Sequence, residues 1–253
     1  MQVAVLASGS KGNAVFVEMD GIRILIDAGI SARRIKQELA ALGEDVEMLD
    51  GIFITHEHGD HIKGLPTLVK KYGIQVYARP AAFRAMSCYE DLPFECVNRI
   101  ADRIRLGRVV VRAFDIPHDA ADPVGYVIQG TDRCVVATDI GNVDDALQNM
   151  LEGAHILVLE SNYDEDMLRQ GSYPYNLKQR ILGPLGHLSN KKAGQVVAAL
   201  KRKPQILLLA HLSESNNRPE LAMDTVTSVL DSYGIDNIKV YVTAQTHCTS
   251  VIV

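Results

Sequence analysis

The segment Thr55-His56-Glu57-His58-Gly59-Asp60-His61 constrains this chain more than any other. Three imidazoles and two carboxylates crowd into six residues, directly after the apolar run Gly51-Ile-Phe-Ile-Thr55. The whole chain has eight histidines, so an ordinary solvated loop is a poor account of three together. Imidazole and carboxylate are the ligands that zinc prefers, and manganese and iron also accept them. Alternate residues of an extended segment face the same way, so His56 and His58 can grip one ion. Gly59 then lets the chain turn, which aims Asp60 and His61 at a second ion close by.

Further donors recur at the ends of apolar runs. Val109-Val-Val-Arg-Ala-Phe-Asp-Ile-Pro117 leads to His118, Arg133-Cys-Val-Val-Ala-Thr138 to Asp139, and Gln205-Ile-Leu-Leu-Leu-Ala210 to His211. One such histidine alone reads as structural, but donors repeatedly in register with strand ends converge on one rim of a rigid sheet. Five histidines and two aspartates suffice for two divalent ions about 3.5–4 Å apart, the arrangement of two-metal hydrolases.

The remaining sequence frames that centre. The 253 residues are 47% hydrophobic and 23% charged, a soluble globular profile that needs no disulfide to hold its core. Cys88, Cys96, Cys134 and Cys248 show no C-x-x-C spacing, which excludes a cysteine-type zinc finger and a thioredoxin-like pair and suits a reducing compartment. Apolar runs are too short to span a bilayer, and Met1-Gln-Val-Ala-Val-Leu reads as a strand instead of an export leader, so a cytoplasmic protein is expected, with no membrane partner. The net charge of −5 gives no global attraction to nucleic acid. No linker or repeat divides residues 1–253, which predicts a single domain.

Strands are expected at Gln2–Ala7, Ala14–Glu18 and Ile22–Asp27, joined by hairpins, then at Gly51–Ile54, Gln75–Tyr77, Val109–Ile116, Val124–Gln129, Cys134–Thr138, Ile156–Glu160, Ile206–Ala210 and Lys239–Thr243. Ser31 caps a helix with Ile35, Leu39 and Leu42 on one face, and helices follow at Asn190–Lys201 and Arg218–Ser232. Early hairpins followed by strand–helix alternation predict a layered α/β protein with mixed sheets, not a doubly wound fold.

The order His-x-His-x-Asp-His, then a distant His, Asp and His, resembles the metallo-β-lactamase superfamily from Ser8 to His211. That resemblance implies an αββα four-layer sandwich of two mixed β-sheets flanked by helices. It implies that His56, His58 and His118 bind one metal, that Asp60, His61 and His211 bind the other, and that Asp139 bridges them. It implies a metal-bridging hydroxide as nucleophile, oriented by Asp60. Asp27 is expected to position a ligand histidine without binding metal. The absence of G-x-S-x-G excludes a serine-hydrolase elbow.

Within the superfamily, Ser8-Gly-Ser-Lys-Gly-Asn13, Leu25-Ile-Asp-Ala-Gly29, Pro123-Val-Gly-Tyr126, Leu159-Glu-Ser-Asn-Tyr-Asp164, Gly186-His-Leu-Ser-Asn190 and His211-Leu-Ser-Glu-Ser-Asn-Asn217 resemble the YycJ (WalJ) family. The resemblance implies a bacterial phosphodiesterase acting on DNA as a 5′-to-3′ exonuclease, with two divalent ions, zinc, manganese or iron. His187 is read as an acid for the leaving 3′-oxygen, as a ligand for a non-bridging oxygen, or as an incidental residue in a helix-capping turn. Ser189 and Asn190 would present a helix start to phosphate, and Lys191 and Lys192 would follow them onto DNA. Ser8, Ser10, Lys11 and Asn13 are read as phosphate contacts or as a structural turn; their spacing is not that of a P-loop. A small-molecule or cyclic-nucleotide phosphodiesterase and a non-catalytic metal carrier are the competing functions.

Overall fold

The computed structural model describes residues 1–253. The chain opens with an antiparallel meander, β1 (Gln2–Ala7), β2 (Ala14–Met19) and β3 (Ile22–Ile26). Asp20 and Gly21 both take positive φ (53° and 80°) in the turn between β2 and β3, the backbone that matches a hairpin's twist. Helix α1 (Ala32–Ala41) follows, with Ser31 Oγ accepting from the Arg34 amide and Ile35 and Leu39 buried. After β4 (Gly51–Phe53) come α2 (Gly59–Ile62), α3 (Leu65–Tyr72), β5 (Val76–Ala78), α4 (Pro80–Ala85) and β6 (Val97–Arg99).

The second half contains β7 (Arg103–Leu106), β8 (Val109–Asp115), β9 (Val124–Gln129), β10 (Arg133–Ala137), α5 (Asp145–Leu151), β11 (Ile156–Glu160), α6 (Glu165–Gln170), α7 (Tyr175–Leu182), α8 (Asn190–Ala199), β12 (Ile206–Ala210), α9 (Pro219–Ser232) and β13 (Lys239–Val242). A last strand, β14 (Thr249–Ile252), returns to pair with β1. Two seven-stranded sheets result, in the orders β14-β1-β2-β3-β4-β5-β6 and β13-β12-β11-β10-β9-β8-β7. Both are mixed: β3 to β6 pair in parallel beside the antiparallel meander, and β10 to β13 pair in parallel beside antiparallel β7 to β10.

Strand alternation sorts the apolar side chains into three layers. Val3 and Val5 face the interior between the sheets, with Ile24, Tyr126, Val136 and Leu208. Ala4 and Leu6 face outward against Ile35, Leu39 and Leu68 of α1 and α3. Leu207 and Leu209 on the other sheet face Val197 of α8 and Val226 of α9. Two sheets back to back, each covered by helices, make the expected αββα sandwich. Because both faces of the central strands are buried, their sequences are continuous apolar runs with no polar alternation. No helix is long and apolar enough to cross a membrane.

Three strands lie outside the expected set. β6 has three residues, β7 alternates two exposed arginines with half-buried neighbours, and β14 buries only Val251. Each is an edge strand or a short pairing whose stability comes from its neighbour, so its own sequence carries little apolar signal.

Candidate metal centre

The strands of both sheets deliver their donors to one rim. His56 and His58 follow β4, His61 lies in α2, His118 follows β8, Asp139 follows β10 and His211 follows β12. Asp27, Asp139 and His211 all have φ near +60° (61°, 60° and 57°), a left-handed step that turns the chain sharply as it leaves its strand. Aspartate and histidine enter this region more readily than most residues. Gly59, expected to supply a turn, instead begins α2 with negative φ; the reversal is made by the helix itself.

Four imidazoles share one arrangement. Nδ1 of His61 lies 2.8 Å from Asp27 Oδ2, Nδ1 of His56 lies 2.9 Å from Thr55 Oγ1, Nδ1 of His211 lies 2.7 Å from Glu160 Oε1, and Nδ1 of His118 lies 3.3 Å from the Gly186 carbonyl. A partner on Nδ1 fixes each ring and leaves Nε2 for the centre. His56 Nε2 comes within 3.0 Å of His58 Nδ1, His61 Nε2 within 3.5 Å of both Asp60 Oδ2 and Asp139 Oδ2, and His118 Nε2 within 3.8 Å of Asp139 Oδ1. His211 Nε2 lies 3.9 Å from Asp60 Oδ2.

Donor atoms converge within 4.8 Å in overlapping groups: His56, His58 and His118; Asp60, His61 and His211; and His56, His61 and Asp139. Asp139 Oδ2 and His211 Nε2 are buried without any hydrogen-bond partner. A buried carboxylate oxygen and an imidazole nitrogen left bare cost about 1–3 kcal/mol each, more for a charged group. Divalent cations satisfy both, and a set of imidazoles and carboxylates is their chemistry. The residues therefore fit divalent metal ions.

Electrostatics of the bare protein point the same way. Burial pushes His56 well below the usual histidine range, reinforced by the neighbouring imidazoles, which leaves it neutral and ready to ligate. Burial also lowers His61, but Asp27 and Asp139 overcome it and hold the ring well above that range. Asp60 is raised by burial yet depressed overall by its hydrogen bond to His61 and the charges of His61 and His211. Asp139 is likewise raised by burial and lowered further by His211 and His61. The carboxylates of Asp60 and Asp139 stay ionised, and the protons favoured on His61 and His211 sit where cations would replace them.

Asp27 lies buried beside Thr55 and His61. Its Oδ1 accepts the Thr55 amide at 2.8 Å, while Oδ2 accepts the Thr55 hydroxyl at 2.9 Å and faces His61. Gly29 keeps this corner tight: a Cβ there would sit 1.6 Å from the Asp60 carbonyl oxygen.

Glu160 was not expected at the site. This fully buried carboxylate faces two imidazoles at once, Nδ1 of His187 at 2.9 Å and Nδ1 of His211 at 2.7 Å, both on Oε1. Its Oε2 accepts the amides of Ile140 and Leu188. Burial lowers His187, but the Glu160 charge and hydrogen bond raise it to about 9. The one available sequence signal was a carboxylate closing the otherwise apolar run Ile-Leu-Val-Leu-Glu160. Asn162, also unexpected, donates Nδ2 to the His211 carbonyl at 2.7 Å.

The expected phosphate contacts divide. Ser10 lines the cleft over the donors, together with His187. Ser8 is buried and accepts the His211 amide at 2.7 Å, so it holds a ligand loop. Asn13 is buried as well, taking the Gly9 amide on Oδ1 and placing Nδ2 near Asp60 and His61. Lys11 is exposed and paired with Glu214. Ser189 and Asn190 are corrected outright: both are buried and absent from the cleft. Ser189 caps α8 through the Lys192 amide and Asn190 is tied to Ser161 and Asn217. Their polar groups are consumed in fastening α8 to the sheet, which leaves the exposed Lys191 and Lys192 beyond them.

A family model described as a β-lactamase superfamily domain matches residues 22–212, a span that contains every donor from His56 to His211. The chain belongs to this superfamily. Among curated relatives, the exodeoxyribonuclease YycJ of Bacillus anthracis is 37% identical over 92% of this chain and 90% of its own. The exodeoxyribonuclease WalJ of Streptococcus pneumoniae is 36% identical over 97% and 95%. These matches place the chain in the YycJ/WalJ family within the superfamily. Among solved structures, the metallo-β-lactamase fold protein YhfI from Bacillus subtilis superposes with a TM-score of 0.75 over 99% of both chains at 16% identity, a likeness of fold. As a superfamily member with this donor set, the chain is a metal-dependent hydrolase.

Proposed function

We propose that this chain is a dinuclear-metal phosphodiesterase that removes nucleotides from the 5′ end of DNA. The observation that carries the reading is His187: a raised imidazole, anchored on Nδ1 by Glu160, facing the metal donors across one cleft. The exodeoxyribonuclease relatives, matched over most of their length, supply the DNA substrate.

In this reading His56, His58 and His118 would hold one ion and Asp60, His61 and His211 a second, with Asp139 as a further ligand. Zinc, manganese or iron suits these ligands. When bound, divalent cations make water a nucleophile at neutral pH and neutralise charge on the attacked phosphate. The protein does the rest. Asp60, partly exposed at the cleft, orients the attacking water in line with the scissile bond. His187, held on Nδ1 by Glu160, gives a proton from Nε2 to the departing 3′-oxygen. Glu160 holds that imidazole in its tautomer and stabilises its charge. Ser10, which also lines the cleft, is placed to touch the phosphate.

Both sheets contribute donors, so the reading takes residues 1–253 as one working domain. Four unpaired cysteines favour a reducing cytoplasm as its place of action. A duplex labelled separately at its 5′ and 3′ ends, incubated with manganese or zinc, tests the proposal. Stepwise loss of the 5′ label, absent with His58→Ala, is the expected result. An intact duplex under every metal overturns the DNA reading and favours a small phosphodiester.

A further inference from the structure

Helix α7 (Tyr175–Leu182) buries none of its residues. It nevertheless carries an apolar face. Leu177 and Ile181, four positions apart, share one side of the helix, and Tyr173 lies in the bend just before it. All three are half-buried, and all three line the cleft that holds His58, Asp60, His118, Asp139, His187 and His211. They are the only hydrophobic residues among its fifteen lining residues. The cleft thus has two unlike walls, one of imidazoles and carboxylates and one of an aromatic ring and two aliphatic side chains.

The apolar wall is physically continuous with His187. The His187 amide donates to the Ile181 carbonyl at 3.0 Å, and the Gly186 amide donates to the Gly183 carbonyl, so the chain turns directly from α7 into the His187 loop. A Cβ at Gly186 would lie 2.1 Å from the Ile181 carbonyl, which makes this close turn dependent on glycine. Arg180, on the same helix, pairs with Asp119, the residue after His118, and fastens α7 across the mouth.

A ligand for such a cleft carries an anion at one end and a flat apolar group at the other. The volume, about 230 Å³, is below the ~300–1,000 Å³ that encloses drug-sized molecules and suits one nucleoside-sized group. We propose that Tyr173, Leu177 and Ile181 form the seat for the terminal nucleotide of the substrate, with its base laid on the Tyr173 ring. The assignment rests on the phosphodiesterase reading above. Seated there, the nucleotide lies on the His187 side of the cleft, which is where the nucleotide carrying the leaving 3′-oxygen belongs. The wall then selects a chain end, since only an unstacked terminal base can lie against it.

The test uses 2-aminopurine deoxynucleoside 3′-phosphate, whose fluorescence is quenched when the base stacks, with the metal-loaded full-length protein. Wild type and Tyr173→Phe quench it, and Tyr173→Ala binds about ten-fold more weakly, the usual scale of one base–aromatic stack. The KM for duplex DNA rises by a similar factor in Tyr173→Ala and in Leu177→Ser. A duplex ending in an abasic 5′ residue is handled alike by wild type and Tyr173→Ala. Equal quenching by wild type and Tyr173→Ala, or an equal KM change on normal and abasic ends, overturns the assignment. If wild type leaves DNA intact but still quenches the probe through Tyr173, the hydrolytic reading fails and the seat stands. If DNA is degraded and Tyr173→Ala changes nothing, the seat fails and the hydrolytic reading stands.

Discussion

Glu160 Oε1 lies 2.9 Å from Nδ1 of His187, in a carboxylate with no exposed surface and an imidazole that is one-fifth exposed to the cleft. The carboxylate charge is fixed by burial among hydrogen-bond donors, and the imidazole alone reaches the substrate. In the proposed function Glu160 therefore positions His187, and His187 would carry the proton transfer. His187→Ala is expected to lower kcat on DNA by about 10²–10⁴, the range for loss of a general acid. With a p-nitrophenyl phosphodiester, whose leaving group needs no proton, the same variant should lose far less. Equal losses on both substrates would assign His187 to binding instead.

The same pair sets a pH dependence in the metal-free protein. The folded-state value of His187, raised to about 9, lies above the unfolded histidine value of about 6.5. Stability from this charge pair is therefore fully present below about pH 6.5 and is lost as pH rises through about 9. An NMR titration of the His187 ring in metal-free protein should show the raised midpoint. Glu160→Gln removes the charge opposing burial, so the midpoint should fall by more than one pH unit.

Asp27 faces His61 at 2.8 Å and holds Thr55 through two hydrogen bonds. Removing a carboxylate that orients a ligand imidazole typically costs 10–100-fold in metal affinity. Asp27→Ala should lose that much affinity for zinc, measured by chelator competition, and a variant with wild-type affinity would show that His61 is fixed by other contacts.

Gly29→Ala places a methyl group on the Asp60 carbonyl. The backbone around Asp60 and His61 must shift to admit it, and the Asn13 amide, which donates to that same carbonyl at 2.8 Å, moves with it. Strain of this kind typically costs about 1–3 kcal/mol. Thermal unfolding should show a lowered Tm in Gly29→Ala, together with weakened metal binding. Tyr126→Phe offers a comparison in the core that alters no ligand side chain. It loses the buried hydrogen bond from the Tyr126 hydroxyl to the Ile54 carbonyl, worth about 1–3 kcal/mol, and should lower Tm with metal affinity intact.

The gathering of imidazoles and carboxylates at one rim was legible because each lies just after an apolar run, and a sheet with both faces buried brings the ends of such runs together. His56, His58 and His61 announced themselves by spacing, while His118, Asp139 and His211 did so by their place after strands. Glu160 was hidden by its position as the last residue of a strand, where nothing in the sequence distinguishes a buried carboxylate from a surface one. Ser189 was legible as a helix cap, but a cap looks the same in sequence whether its helix start faces a phosphate or the sheet, and here it is buried. Ser8 and Asn13 left two readings open for a related reason: small polar side chains that could touch phosphate also satisfy the backbone of tight loops. The apolar face of α7 was invisible because Tyr173 and Leu177 belong to a short segment whose partner is the cleft and not the core.

The central claim is that the rim donors hold two ions that act together in cutting DNA. Its most direct test is to strip the protein of metal, add manganese or zinc in known equivalents, and follow release of the 5′ label from a duplex against equivalents added. The account predicts no turnover without metal and a rise that levels off at two equivalents per chain, with Asp139→Ala inactive throughout. Full turnover in the stripped protein, or a plateau at one equivalent, would contradict it.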